Sequence, residues 1–199
     1  MTCQEAAEIA SQRSELKIRA VNVEGTRALI GACQAAGGPR IVFTSTVVTG
    51  DARGRLLTED SPLPVTTPYG RSKQDGERLL AESGLPHVVI RPSHVYGAGG
   101  WYVEELVKRL RQPGRFCVIG QGDNWWDVVH VDDVASAVLF AVKDAPSAAI
   151  YHCVDDEPIT YFDFMALTAR TLGLGRPRRI PQALARLAAG VPAALRGFS

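Results

Sequence analysis

Apolar positions along this chain follow two rhythms. Between residues 5 and 36, Ile18, Val21, Leu29, Ile30 and Cys33 recur at roughly helical spacing in a stretch rich in Ala, Glu, Gln, Arg and Leu. That pattern predicts one long helix ending at Gly37-Gly38. Two short runs are apolar and β-branched instead: residues 40–45 (RIVFTS) and residues 87–91 (HVVIR), the second closed by Pro92. Both read as buried strands. Between them lie a loop rich in Pro, Thr and Asp, reaching Pro68, and a helix over 69–82 that Gly84-Leu85-Pro86 stops. Strand, helix, strand implies a right-handed crossover and hence a parallel sheet.

The alternation continues to the end. Helices are predicted over 102–110, from a cap at Asp132 or Asp133 to Lys143, and over 161–172. Strands are predicted over 116–119 and 150–154, with a short extended piece at 128–131. The final stretch, GLGRPRRIPQALARLAAG, reads as a turn and an amphipathic helix. No repeat or low-complexity linker interrupts the order, which is that of an α/β protein.

Charge removes several classes of function. Lys plus Arg number 22 against 21 Asp plus Glu, a formal net charge of +1. That balance lacks the long-range attraction expected of a nucleic-acid or anionic-membrane binder. No apolar run approaches the roughly eighteen residues of a spanning helix, and the polar opening MTCQEAAEIASQRSELK has no apolar signal-peptide core. Cys3, Cys33, Cys117 and Cys153 are far apart and form no metal or redox motif, so they read as small hydrophobes in a reducing compartment. A cytoplasmic enzyme or binding module acting on a small molecule is the expectation.

Candidate chemistry gathers at two places. Thr44-Ser45-Thr46 brings hydroxyls to the carboxyl edge of a parallel sheet, where open α/β folds bind ligands. Tyr69 and Lys73 stand four residues apart at the start of the next helix and share one face. An ammonium beside a phenol favours the phenolate, lowering its pKa toward the range of a general acid or base. A serine hydroxyl nearby can hold a substrate carbonyl or alcohol for that proton transfer.

The strings VNVEGTRALIGACQAAGGPRIVFTSTVVTGD, TEDSPLPVTTPYGRSKQDGERLL and GLPHVVIRPSHVYGAGG, followed by GQGDNWWDVVHVDDVASAVLFAV, occur in the order seen in one family. The chain closely resembles the extended short-chain dehydrogenase/reductases, also called the NAD-dependent epimerase/dehydratase family, over about residues 21–190. The resemblance implies a partial Rossmann-type, doubly wound parallel sheet with a small C-terminal substrate lobe. Residues 1–100 would belong to the Rossmann-like catalytic part. Residues 101–199 would mix substrate-lobe elements with the last Rossmann strand and helix, at about 128–154, and stop short of the usual C-terminal segment. It further implies NAD or NADP as cofactor, with Tyr69 as acid/base and Lys73 lowering its pKa and binding the nicotinamide ribose. Ser45 would polarise substrate, with Thr46 as the alternative, and Asn22 would help organise the proton path. Pro92, Ser93 and Val95 match the segment that passes the nicotinamide, and His94 would face substrate. A homodimer through the helices at 5–36 and 69–82 is the implied assembly.

Three features depart from the pattern. Thr49 replaces the usual tyrosine before Gly50. Trp126 stands where nucleotide-sugar members often carry an arginine, and an indole cannot neutralise phosphate. The two tryptophans at 125 and 126 therefore point to a substrate less charged than a sugar nucleotide, with Trp126 against it, unless they are core. The glycine-rich dinucleotide fingerprint expected well before Asn22 is not found, which reads as a fragment whose first sheet strands are missing, leaving Val42 and Val89 without neighbours on one side. The competing expectation is a cofactor-free remnant that acts as a non-catalytic binding or regulatory module. Elsewhere the plain readings prevail: His130-Val131-Asp132-Asp133 as a strand end and helix cap, and the arginines at 176, 178 and 179 as a solvated turn.

Overall fold

The computed structural model describes residues 14–49, 55–112 and 116–185. Two compact units divide the chain: one of residues 1–95 and 128–154, the other of 96–127 and 155–199.

In the first unit, helix α1 is described over residues 14–35 and ends as Gly25–Ala35; the expected beginning at residue 5 lies outside the described residues. Strand β1 (Ile41–Thr44), helix α2 (Pro68–Glu82) and strand β2 (His87–Pro92) follow in the predicted order. After the short strand β3 (His94–Tyr96), the chain returns to this unit with β5 (Val128–His130), helix α4 (Val131–Lys143) and β6 (Ala149–Cys153). The main sheet has the order β1-β2-β6, and both pairings are parallel.

Strand periodicity sends alternate residues to opposite faces. Ile41 joins Ile30, Leu80 and Leu85 in one apolar cluster, with Phe43 packed against it. Val88 and Ile90 join Ala141 and Ala145 of α4 in another, with Val42 alongside. Helices α1 and α2 therefore cover one face and α4 the other, the doubly wound arrangement. Register pairs Phe43 with Val89 and Val89 with Ile150, so Val89 has neighbours on both sides. That corrects the expectation of a lost neighbour there: β2 is the central strand, while β1, which carries Val42, and β6 each pair on a single side among the described residues. Arg40 ties the layers further by donating to the carbonyls of Ala141 (3.1 Å) and Ala145 (2.6 Å) at the end of α4.

The second unit holds helix α3 (Trp101–Leu110), β4 (Cys117–Ile119), helix α5 (Tyr161–Thr171) and β7 (Arg178–Ile180). Here the sequence pattern misled. Residues 178–180, expected in a solvated turn, form β7 and pair in parallel with β4. The Arg179 guanidinium lies 3.6 Å from the Phe162 ring centroid and that of Arg176 lies at 5.5 Å. All three arginines at 176, 178 and 179 stay exposed, so the correction concerns the turn and not their solvation. Two arginines and one isoleucine offer no apolar run to announce a strand. The amphipathic helix expected at the chain's end is described only to residue 185.

Candidate active site

The two serines at the carboxyl edge of the main sheet are the first observation. Ser45 leaves β1 while its backbone N–H donates to Ile90 O (2.7 Å), and Ser93 leaves β2 while its own donates to Cys153 O (3.0 Å). Each residue is nearly inaccessible, at 4% and 6% exposure, and neither Oγ has a hydrogen-bond partner among the described residues. A buried hydroxyl left unpaired costs about 1–3 kcal/mol, so two on adjacent strands call for a ligand that completes them. Thr46 differs. Its hydroxyl donates to Pro92 O (3.3 Å) and accepts from Val48 N–H (3.0 Å), so it staples the strand ends together. Of the two hydroxyls considered for a carbonyl, Ser45 has its proton to give.

Helix α2 starts where its sequence says it should. Thr67 accepts from Gly70 N–H (2.9 Å) as the N-cap, and Pro68 occupies the first helical turn. Gly70 is required by space rather than by backbone angle: a Cβ there would stand 2.7 Å from Thr49 O. Thr49 itself is wholly buried and donates its hydroxyl proton to Pro64 O (2.6 Å), which docks the loop ahead of the helix. Tyr69 thus sits beside a tightly seated helix start and is 45% exposed, and the partial desolvation it does have raises its pKa above the ordinary phenol value. Lys73 is lowered by burial, an effect Glu77 opposes, and its ammonium lies 4.5 Å from the Phe43 ring centroid. The expected lowering of the phenol by the lysine does not appear in this arrangement. The lysine charge rests on an aromatic face, and desolvation alone governs the tyrosine.

Asn22 lies in a π-helical stretch of α1, Ala20–Glu24. Such widened turns are frequent at functional sites. Its amide donates to Ser72 Oγ (3.0 Å), and that hydroxyl donates to Tyr69 O (2.7 Å). Asn22 therefore reaches the tyrosine through Ser72, holding backbone rather than phenol, while Thr26 Oγ1 takes its carbonyl (2.7 Å).

Behind this row lies a buried ion pair. Arg91 donates from Nη2 to Glu77 Oε2 (2.6 Å) and from Nε to Oε1 (3.0 Å), with side chains 9% and 11% exposed. Arg91 Nη1 also reaches Glu59 O (3.4 Å) and lies 3.5 Å from His152 Nε2, while His152 N–H donates to Glu59 Oε1 (2.9 Å). That hydrogen bond leads the causes holding the Glu59 carboxyl below its usual range, and burial chiefly lowers His152. None of Phe43, Ser72, Glu77 or Arg91 is singled out by motif reading. The signal for Arg91 was nonetheless present: a lone charge inside a run of apolar strand residues needs a buried partner.

The remaining predicted residues fall in two places. Pro92 ends β2 and is buried; His94 and Val95 open β3, half-buried and 37% exposed. Trp126 belongs to the second unit. Its backbone N–H donates to Ile159 O (2.9 Å) and its ring meets Tyr161 edge-on at 5.1 Å, while Trp125 is 66% exposed. The cap of α4 is His130, whose Nδ1 accepts from Asp132 N–H (3.3 Å), in place of either aspartate as expected. Imidazole nitrogen supplies the acceptor that a carboxylate would. Among the described residues no three His, Cys, Asp or Glu gather as a metal centre.

Residues 4–153 match the model of the NAD dependent epimerase/dehydratase family. The chain belongs to the NAD-dependent epimerase/dehydratase family. A Streptomyces 3-diazoavenalumate denitrifying reductase is 34% identical over 173 residues, covering 83% of this chain and 57% of the relative. An Arabidopsis thaliana 3beta-hydroxysteroid-dehydrogenase/decarboxylase, isoform 1, is 33% identical over 184 residues, covering 82% and 42%. Among solved structures, a double mutant of the Streptomyces venezuelae dTDP-glucose 4,6-dehydratase, with NAD and DAU bound, superposes with TM-score 0.72 at 25% identity, covering 86% of this chain and 57% of that one. The Thermus thermophilus UDP-glucose 4-epimerase complex with NAD gives 0.66 at 27%, covering 81% and 57%. The chain spans about half the length of the relatives it matches.

Members of this family are enzymes that use NAD(P), and the fold here is theirs. The residues present fit the nicotinamide end of such a cofactor. Two unpaired buried hydroxyls and a tyrosine-lysine face lie at the sheet edge of one compact unit.

Proposed function

We propose that this chain is the catalytic portion of an NAD(P)-dependent oxidoreductase or epimerase. Tyr69 is its acid/base, Ser45 its substrate-polarising hydroxyl and Lys73 its ribose-binding cation. The observation that carries the reading is the pair of buried, unpartnered hydroxyls on Ser45 and Ser93, which a ligand's polar groups would complete. Ser45 Oγ–H donates to a substrate carbonyl oxygen. Tyr69, kept protonated by its partly buried site, gives its proton to that oxygen as negative charge develops there. In the opposite direction the phenol must lose its proton first, and Lys73, on the same face of α2, would supply the stabilising charge and would bind the cofactor ribose. Bound NAD(P) supplies or accepts the hydride, and Pro92, Ser93 and Val95 would hold its nicotinamide end. Asn22 and Ser72 keep the first turn of α2 in place for the transfer.

For the substrate, Trp126 in the arginine position disfavours a diphosphate and suits a small molecule with an apolar body. Relatives named for a diazoavenalumate and a 3beta-hydroxysteroid support that choice, while the solved structures of similar fold are named for sugar nucleotides. His94 and Thr46 would bound the substrate pocket, and a cytoplasmic homodimer is the accompanying assembly.

Titration of the chain with NADH and NADPH, followed by nucleotide fluorescence and thermal unfolding, tests the reading. Saturable binding with a raised midpoint, weakened by Ser93→Val and Lys73→Ala, is expected. No binding of either nucleotide by the folded chain would overturn it in favour of a cofactor-free module.

A further inference from the structure

Lys73 is a half-buried cation that keeps no anion of its own. Among the described residues its ammonium makes neither an ion pair nor a hydrogen bond; what it meets is the face of the Phe43 ring, 4.5 Å from the centroid. The two acids that follow on α2 are engaged elsewhere. Asp75 pairs with Arg19 (3.0 Å) and Arg78 (2.9 Å), and both oxygens of Glu77 are taken by Arg91, at 2.6 and 3.0 Å. The ring itself is fixed where it stands. Phe43 packs against the cluster of Ile30, Ile41, Leu80 and Leu85, and its register neighbour on β2 is Val89. Its tip is stopped by the backbone of α2. A Cβ at Gly76 would lie 2.7 Å from Phe43 Cζ, so only glycine lets the helix settle on the ring.

We propose that Phe43 is the positioning residue of Lys73: its ring holds the ammonium in place with the hydrogen-bond donors unspent, free for the hydroxyls of a cofactor ribose. The physical reason lies in how each kind of partner would hold the charge. A desolvated ammonium needs compensation. A carboxylate would give it, but by accepting the same N–H donors that a ribose must reach, so the ligand would have to displace it. An aromatic face attracts the cation through its quadrupole and takes no lone-pair hydrogen bond, which leaves the ammonium's three donors available. An aliphatic side chain of similar size would fill the space and leave the charge without compensation. Phe43 also stands on the right strand, two residues before Ser45, and Gly76 keeps the ring from shifting under the lysine.

The inference rests on the reading of Lys73 as the ribose-binding cation, yet its first test needs neither turnover nor nucleotide. The chain has four lysines, Lys17, Lys73, Lys108 and Lys143. Labelling their Cε with carbon-13 allows each to be titrated by NMR in the whole chain, with the Lys73 signal identified by its loss in Lys73→Arg. The Hε protons of Lys73 are expected upfield of those of the other three, shielded by the ring, and to lose that shielding in Phe43→Leu. The Lys73 midpoint should fall in Phe43→Leu by about half to one pH unit, the size of a cation–π contact. A ring-fluorinated phenylalanine in place of Phe43 keeps the shape and weakens the negative face. The midpoint should fall there too, with thermal unfolding little changed, and this variant serves if Phe43→Leu does not fold. NADH should bind about two- to fivefold more weakly to both. A Lys73 midpoint that stays put in the fluorinated chain overturns the inference, because a ring that only fills space would behave that way. NADH affinity unchanged by Phe43→Leu, where Lys73→Ala weakens it, overturns it equally. Ring-dependent Lys73 signals in a chain that binds no nucleotide uphold the perch and count against the cofactor reading instead.

Discussion

The two faces of the main sheet are built from the same three strands and do different work. Toward α4 the sheet presents Val42, Val88 and Ile90 to Ala141 and Ala145, an apolar seam. Toward α1 and α2 it presents Ile41, Phe43, Val89 and Arg91, and there the helices bring Asn22, Ser72, Lys73 and Glu77. One face gains its free energy from burial of small and branched side chains. The other includes a buried charge pair, a desolvated lysine and a hydrogen-bonded chain to the backbone of Tyr69. A site for proton transfer has to contain polar groups that are expensive to bury. Concentrating them on one face leaves the other to hold the sheet.

Changes on the polar face should therefore separate chemistry from stability. The largest effect expected is in Tyr69→Phe, which removes the proton but keeps the ring. Turnover by the catalytically complete protein should fall by about 10²–10⁴ with little change in its thermal midpoint, and undiminished turnover would remove Tyr69 from its role. Next comes the ion pair. Arg91→Met alone leaves Glu77 charged and buried and should cost about 3–5 kcal/mol in urea unfolding, whereas Glu77→Met/Arg91→Met should recover most of it. If the double variant were as unstable as the single, the pair would be a structural necessity and the contrast between the faces would fail.

Ile90→Ala probes the apolar seam. It should lower stability by about 2–5 kcal/mol while leaving the Lys73 titration where it was. Movement of that midpoint would show that the two faces are not independent. The smallest effect concerns acid. Burial holds His152 below its ordinary 6.5, so the unfolded chain takes up the proton first, and stability falls as pH drops below about 6.5 toward the folded value. Glu59, held below its ordinary 4.5, adds stability that is present above that value and lost at still lower pH. In His152→Gln the upper part of the fall should vanish and the lower part remain, as read from unfolding midpoints across a pH series.

Where motif and period agree, sequence and structure coincide closely. The strand at 40–45 is β1 at Ile41–Thr44, the helix at 69–82 is α2 at Pro68–Glu82, and the strand at 150–154 is β6 at Ala149–Cys153. These elements announce themselves because their apolar pattern persists for a full buried run or several helical turns. β3 (His94–Tyr96) and β7 (Arg178–Ile180) are short and led by polar or charged residues, so they are visible only through their partners, whereas the equally short β4 (Cys117–Ile119) and β5 (Val128–His130) are mostly apolar and legible. The helix cap at His130 escaped for a related reason: aspartate is the commoner choice, and only the local geometry reveals that the imidazole takes the N–H.

What the sequence determined by itself is the family, the order of α and β elements, and which side chains belong at the sheet edge, because these depend on local pattern and ordered motifs. Tertiary structure decided how those side chains are engaged. Among the described residues it left Ser45 and Ser93 without side-chain partners, spent the hydroxyl of Thr46 on Pro92, set Lys73 on the ring of Phe43 and joined Arg91 to Glu77. Fourteen positions separate Glu77 from Arg91 and fifty separate Asn22 from Ser72. No local rule relates residues at such distances. Strand parity and helix register bring them together, and only the packed sheet sets both at once.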